Sequence, residues 1–91
     1  MNTILIQPFN VLVNGQVEQV NSIMFTNFCG YDFSGTNGGY VEYALGNFDG
    51  ANFTPYNNGN CPVPYSVVST WGADDNVIYD YVIQTKGFVK V

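Results

Sequence analysis

Apolar and polar residues alternate through the first two thirds of the chain and change to a helical repeat near its end, separating a sheet-forming part from a helical part. Residues 4–13 predict a first strand in which Phe9, Val11 and Val13 alternate with Asn10, Leu12 and Asn14. Pro8 lacks a ladder donor and marks an edge or a bulge. Asn14-Gly15 predicts a type I′ hairpin turn, because both central positions must tolerate positive φ. If these two residues are the whole loop, Val13 pairs with Gln16, Phe9 with Val20 and Glu18 with Val11; a bulge or longer loop is the alternative. The second strand runs from Gln16 to about Phe28.

Residues 29–39, with four glycines around Tyr31 and Phe33, predict a loop, and residues 40–45 restore a strand with Val41, Tyr43 and Leu45 on one face. Residues 46–50 turn the chain at Asp49-Gly50, a fourth strand over 51–56 is limited by Pro55, and residues 57–60 read as a flexible link. Pro64 suits the first position of a short helix through Tyr65, Val67, Val68 and Trp71, closed by Gly72. In the longer helix that follows, Asp74 caps the first turn and Asp75 adds charge beside it. Val77, Ile78, Tyr81 and Val82 form the apolar stripe, Lys86 lies in the last turn and Gly87 ends it. Residues 88–91 return as a short terminal strand. The expected fold is α+β: an antiparallel sheet of about four strands with two C-terminal helices packed on one face, in one domain over 1–91 (β-rich 1–57, helical 63–87).

Charge narrows the functional classes. Only 10% of residues are charged, against about 25% in ordinary domains, so the polar surface is mostly neutral amide and hydroxyl. The net charge of −5, with two lysines and no arginine, gives no basic footprint for nucleic acid or for an anionic membrane. No apolar run reaches the roughly 18 residues of a membrane-spanning helix. Met1 to Ile6 lacks the pattern of a secretory signal, which predicts synthesis in a cytoplasm. Cys29 and Cys61 are expected as free thiols, a single bridge being the alternative if their segments meet.

No catalytic, cofactor or metal site is predicted. Serine and cysteine nucleophiles need a base, and the chain has no histidine. Asp74, Asp75 and Asp80 do not follow the alternating pattern of a calcium loop and read as helix-cap and surface residues. Glu18 and Glu42, on neighbouring strands, read as exposed positions rather than as a glycosidase pair. The glycine-rich loop lacks a phosphate-cradling order. Trp71 with Tyr65, Tyr79 and Tyr81 could stack on a sugar or simply fill the space between helices and sheet.

The strand Val41-Glu42-Tyr43-Ala44-Leu45, the Asp49-Gly50 turn, Tyr65 six residues before Trp71-Gly72, then Asp74-Asp75, Ile78, Tyr81-Val82 and Gly87 together resemble a group of small proteins from the structural gene modules of tailed bacteriophages. The resemblance covers residues 41–91, and the glycine- and asparagine-rich segments at 29–39 and 57–61 depart from it. It implies a non-enzymatic virion subunit present in many copies, decorating the capsid or associated with the tail or its fibres, made in the host cytoplasm. Other virion structural proteins would be its partners, with no nucleic acid, membrane or cofactor. The expected contact residues are Tyr31, Phe33 and Tyr40 around the first loop, and Phe48, Tyr56 and Asn58 in the others. The alternatives are a carbohydrate-binding module using exposed aromatics with asparagine hydrogen bonds, and a small inhibitor whose acidic surface mimics a substrate.

Overall fold

The computed structural model describes residues 3–29, 38–70 and 74–91. Four strands, β1 (Thr3–Val13), β2 (Gln16–Cys29), β3 (Gly39–Phe48) and β4 (Phe53–Val63), are followed by two short helices, α1 (Tyr65–Val68) and α2 (Asn76–Thr85). The strands form one antiparallel sheet in the order β1-β2-β3-β4, so the architecture is α+β.

The first hairpin has the two-residue loop. Asn14 and Gly15 take φ of 52° and 82°, and Val13 pairs with Gln16, Val11 with Glu18 and Phe9 with Val20. The register shifts between Leu5 and Phe9, around Pro8, because the chain before the proline is drawn into a different set of pairs. There Ile6 is fully buried, Gln7 donates its N–H to the Val89 carbonyl at 2.7 Å, and Val91 donates to the Leu5 carbonyl at 3.2 Å. The end of the chain therefore lies along the outer side of β1, with Ile6 opposite Lys90.

Two expectations about β3 and β4 are corrected. Residue 46 lies inside β3 rather than in a turn: Gly46 pairs with Ser22 and with Pro55, and a β-carbon there would sit 2.1 Å from the Thr54 carbonyl oxygen. Residues 57–60 are not a link. They pair with Leu45, Ala44, Tyr43 and Glu42, and the strand continues to Val63. Gly59 is required because the Tyr43 ring crosses it, with the hydroxyl 2.6 Å from where a β-carbon would be. Pro55 and Pro62 are tolerated because β4 is an outer strand. The turn between β3 and β4 is built by Asp49, whose carboxylate accepts the Asn52 and Ala51 N–H groups at 2.7 and 2.9 Å. Those two bonds hold its carboxyl below the usual range.

The short helix is one turn, with Pro64 just before it rather than within it; the expected extension to Trp71 and Gly72 lies outside the described residues. α2 begins at Asn76 with Asp75 at the cap, which makes no side-chain cap hydrogen bond; the expected cap, Asp74, stands one residue earlier, where its carboxylate accepts the Asn76 N–H at 3.0 Å. At its end Gly87 takes φ of 80°, Phe88 N–H reaches the Ile83 carbonyl at 2.9 Å and Gly87 N–H the Gln84 carbonyl at 3.2 Å. These two bonds are the Schellman closure, with Lys86 at the C-cap just past the last turn.

The buried face of α2 is Ile78, Tyr79, Val82 and Ile83, not the expected stripe, of which Val77 and Tyr81 are only half-buried. Tyr79 decides the difference. Its ring stacks on Phe25 of β2 at 4.3 Å and on Phe28 at 6.0 Å, and these residues join Val20, Ile23, Val41, Tyr43, Leu45, Cys61 and Val63 in one core. Burial raises the Tyr79 hydroxyl pKa above the ordinary tyrosine value, and the Asp75 carboxylate adds to the shift.

Candidate functional site

Short of Val91, the most exposed large apolar side chains among the described residues are a cross-strand pair. Leu12 and Val17 stand directly opposite each other in the first hairpin, 75% and 65% exposed. β3 pairs with β2 only from Ser22 to Cys29, so Phe9–Val13 and Gln16–Val20 extend past it as a two-stranded arm. Neighbours on one face alone would leave such an arm marginal, and the structure braces its root. Asn21 takes the Phe48 N–H on its Oδ1 at 2.8 Å and returns its Nδ2 to the Phe48 carbonyl at 3.0 Å, standing in for a strand partner. Asn47 Nδ2 donates to the Gln19 carbonyl at 3.2 Å. Phe9 stacks on Phe88 at 5.6 Å, and the Tyr56 hydroxyl reaches the Glu18 carboxylate. Burial first, and then that carboxylate, raise the Tyr56 pKa.

A second feature is a groove of about 770 Å³ lined by Tyr40, Glu42, Asn60, Pro62 and Tyr81 with the backbone around Gly38. It joins two rings, the edges of Pro62 and Pro64, one carboxylate and one amide. The Tyr40 hydroxyl is hydrogen-bonded to the Cys29 thiol, and this bond, with Cys29 and Glu42 as neighbours, raises its pKa. Asn27 Nδ2 also donates to Cys29 Sγ at 2.9 Å.

The expected contact residues do not form one cluster. Tyr31 and Phe33 lie outside the described residues. Tyr40 is 40% exposed and lines the groove. Asn58, exposed on β4, faces Ala44, so alternation puts it on the Tyr40 side of the sheet. Phe48 shares that side but stands eight residues along β3, about 26 Å away, with its main chain held by Asn21. Tyr56 is half-buried against the core and serves as a brace for the arm.

Of the sugar-stacking set, Tyr79 is 2% exposed and occupied by Phe25, while Trp71 lies outside the described residues. Glu18 lies on β2, and Glu42 opposes Asn27, nine residues further along that strand, which is about 30 Å and far beyond the span of a glycosidase pair. Asp80 is paired with Lys90 Nζ at 3.0 Å on the surface.

The thiols are free. Cys29 pairs with Tyr40 and Cys61 with Val41, and consecutive residues of β3 point to opposite faces, so the two sulfurs lie on opposite sides of the sheet. Two strands apart, their backbones are separated by about 9–10 Å, too far for a bridge. Burial pushes the Cys61 thiol up against the opposing pull of Lys86.

Sequence reasoning missed the exposed Leu12–Val17 pair, although the register that places them together was readable from Asn14-Gly15. Among the described residues no three acidic, cysteine or histidine side chains gather as metal ligands, and no helix is long and apolar enough to cross a membrane. No family model, curated protein or solved structure matches the chain.

Proposed function

We propose that this chain is a non-enzymatic structural subunit of a tailed-bacteriophage particle, decorating the capsid or associated with the tail or its fibres, and that it works by contact with other virion proteins. The observation that carries the reading is the arm, which holds Leu12 and Val17 in solvent on a braced support. A rigid mount for exposed apolar side chains has little use in a solitary protein and an evident use in an assembly. In this proposal α1 and α2 lie against one face of the sheet. The other face, with Tyr40, Phe48 and Asn58, meets neighbouring subunits together with Tyr31, Phe33 and the stretch of β4 around Tyr56. The sparse charge supports this, because few ionic groups then lose water on assembly. Mass spectrometry of purified particles with copy-number quantification tests it: the chain at fixed stoichiometry is the expected result, and its absence from intact particles ends the proposal.

The groove supports a second reading, a carbohydrate-binding module. Tyr40 and Tyr81 offer ring surface for a sugar, and Glu42 and Asn60 offer hydrogen bonds to its hydroxyls. A glycan array tests it. Binding that is lost in Tyr40→Ala favours it, and a blank array removes it.

A further inference from the structure

The sheet has two outer strands, and they are protected very differently. Free strand edges invite pairing with other chains, and proteins usually blunt them with proline, bulges, charge or a covering segment. β4 carries Pro55 and Pro62 and a register shift between them. The Leu5 to Gln7 part of β1 is covered by Val89–Val91. The rest of β1, Phe9–Val13, has no proline, no charge and no bulge within it. Among the described residues no backbone bond covers its outer side.

The direction of its free groups follows from the turn. Across a two-residue loop the closing pair, Val13 and Gln16, is the hydrogen-bonded kind, and the kinds alternate along an antiparallel ladder. Phe9, Val11 and Val13 therefore spend their N–H and C=O groups on β2, while Asn10 and Leu12 direct theirs outward. Leu12 is also the more exposed of the two exposed apolar side chains of the arm.

We propose that this edge pairs with the same edge of a second copy of the chain, antiparallel about a two-fold axis at Val11. Asn10 of each copy then lies opposite Leu12 of the other, and the two pairs exchange four main-chain hydrogen bonds. The two four-stranded sheets become one sheet of eight. A second copy fits better than an unrelated partner because the edge is self-complementary under that rotation and because Phe9–Val13 brings no charge to the contact in a chain of net charge −5. Five residues cover far less than the roughly 1,600 Å² of a standard interface, so the pair is weak alone and strengthens where many copies are held together. The inference deepens the assembly reading by naming one contact and its partner.

Sedimentation velocity on the full chain, up to about 1 mM, tests it with two variants. In Asn10→Pro the lost N–H is the outward one, so the hairpin keeps its own bonds. Leu12→Lys adds charge to the same edge. A reversible dimer is expected for the parent chain, at least tenfold weaker in both variants, while Thr54→Lys, an exposed position on β4, leaves it unchanged. Amide exchange separates this from misfolding: Asn10 and Leu12 should exchange slowly only at concentrations where the dimer is populated. A parent chain that stays monomeric throughout, or a dimer that both variants leave intact, overturns the proposal. Loss of the dimer in Thr54→Lys would move the contact to β4 and overturn it as well. A chain found in particles at fixed stoichiometry yet monomeric in solution would refute this edge contact while leaving the structural-subunit reading standing.

Discussion

Tyr79 ties α2 to the sheet through its stack on Phe25, and truncating it tests that attachment. The residue is 2% exposed and stacks on Phe25 at 4.3 Å with 20° between the ring planes. Removing a buried aromatic side chain costs about 3–5 kcal/mol, part of it lost transfer energy and part the cavity left behind. A chain of 91 residues has a total stability of roughly 5–14 kcal/mol at the usual value per residue. Tyr79→Ala therefore removes between about a fifth and all of it. With a urea slope of about 1–2 kcal/mol per molar, the midpoint should fall by about 1.5–5 M.

Tyr79→Phe separates the ring from its hydroxyl. The stack on Phe25 remains, so the cost near pH 8 should be under about 1 kcal/mol. The pH dependence then has a definite sign. Burial raises the folded-state pKa of Tyr79 above its ordinary value of 10.0, so the neutral form is favoured in the folded chain. Its contribution is intact below pH 10 and is lost as pH rises through the folded pKa. Tyr79→Phe should thus lose less stability than the parent chain between about pH 8 and pH 11, with Tyr43, also raised by burial, still supplying its own share. Urea melts followed by far-ultraviolet circular dichroism at the two pH values measure both effects. If Tyr79→Ala costs less than about 1 kcal/mol with an unchanged slope, α2 is not held through this ring and the packing argument is wrong.

Other perturbations read separate parts of the fold. Asn21→Ala removes both side-chain bonds to the Phe48 main chain and should cost about 1–3 kcal/mol, with faster amide exchange at Phe48 as the local signature. Gly59→Ala pushes on the Tyr43 ring and should cost about 1–3 kcal/mol in thermal melts; Gly46→Ala should cost more, since the obstacle is the Thr54 main chain, which cannot swing aside. Cys29 should react with a thiol reagent in the folded protein much faster than Cys61, which should label at the rate of unfolding. Because burial raises the Cys61 pKa above 9.0, its contribution to stability is complete below pH 9 and is lost as pH rises through the folded value.

Local chemistry made part of the fold legible. Asn14-Gly15 carried the register of the first hairpin from Val13 to Phe9, and Asp74 with Gly87 marked the ends of α2, because turns and caps are decided by a few neighbouring residues. The failures lie where a distant segment decides. Residues 57–60 look like a linker until Tyr43 is seen to lie across Gly59, which makes that glycine a sign of close approach rather than of a turn. The shift around Pro8 depends on Val89–Val91 binding the strand before it, more than eighty residues along the chain. On α2 the apolar positions allowed several adjacent stripes, and Phe25 and Phe28 selected the one containing Tyr79. Of the candidate contact residues, Tyr40 and Asn58 were read as exposed and are; Tyr56 was not recognisable as a brace because its partner, Glu18, lies 38 positions away.

The arm ties these observations to function through stability. A two-stranded ribbon gains little from its own ladder, so its order must come from whatever touches it. Here the root and inner face are held by Asn21, Asn47, Tyr56 and Phe88, while Leu12 and Val17 stay largely exposed and the outer groups of Asn10 and Leu12 make no backbone bond among the described residues. The bracing lowers the entropic cost of docking, because the arm is already extended and in register when a neighbour arrives. The unbraced side supplies the apolar surface and the main-chain donors and acceptors that the neighbour uses. Cutting the brace and blocking the edge should therefore weaken association by different routes: Asn21→Ala by making the arm cost more to order, Asn10→Pro by removing a bond that only the partner can complete.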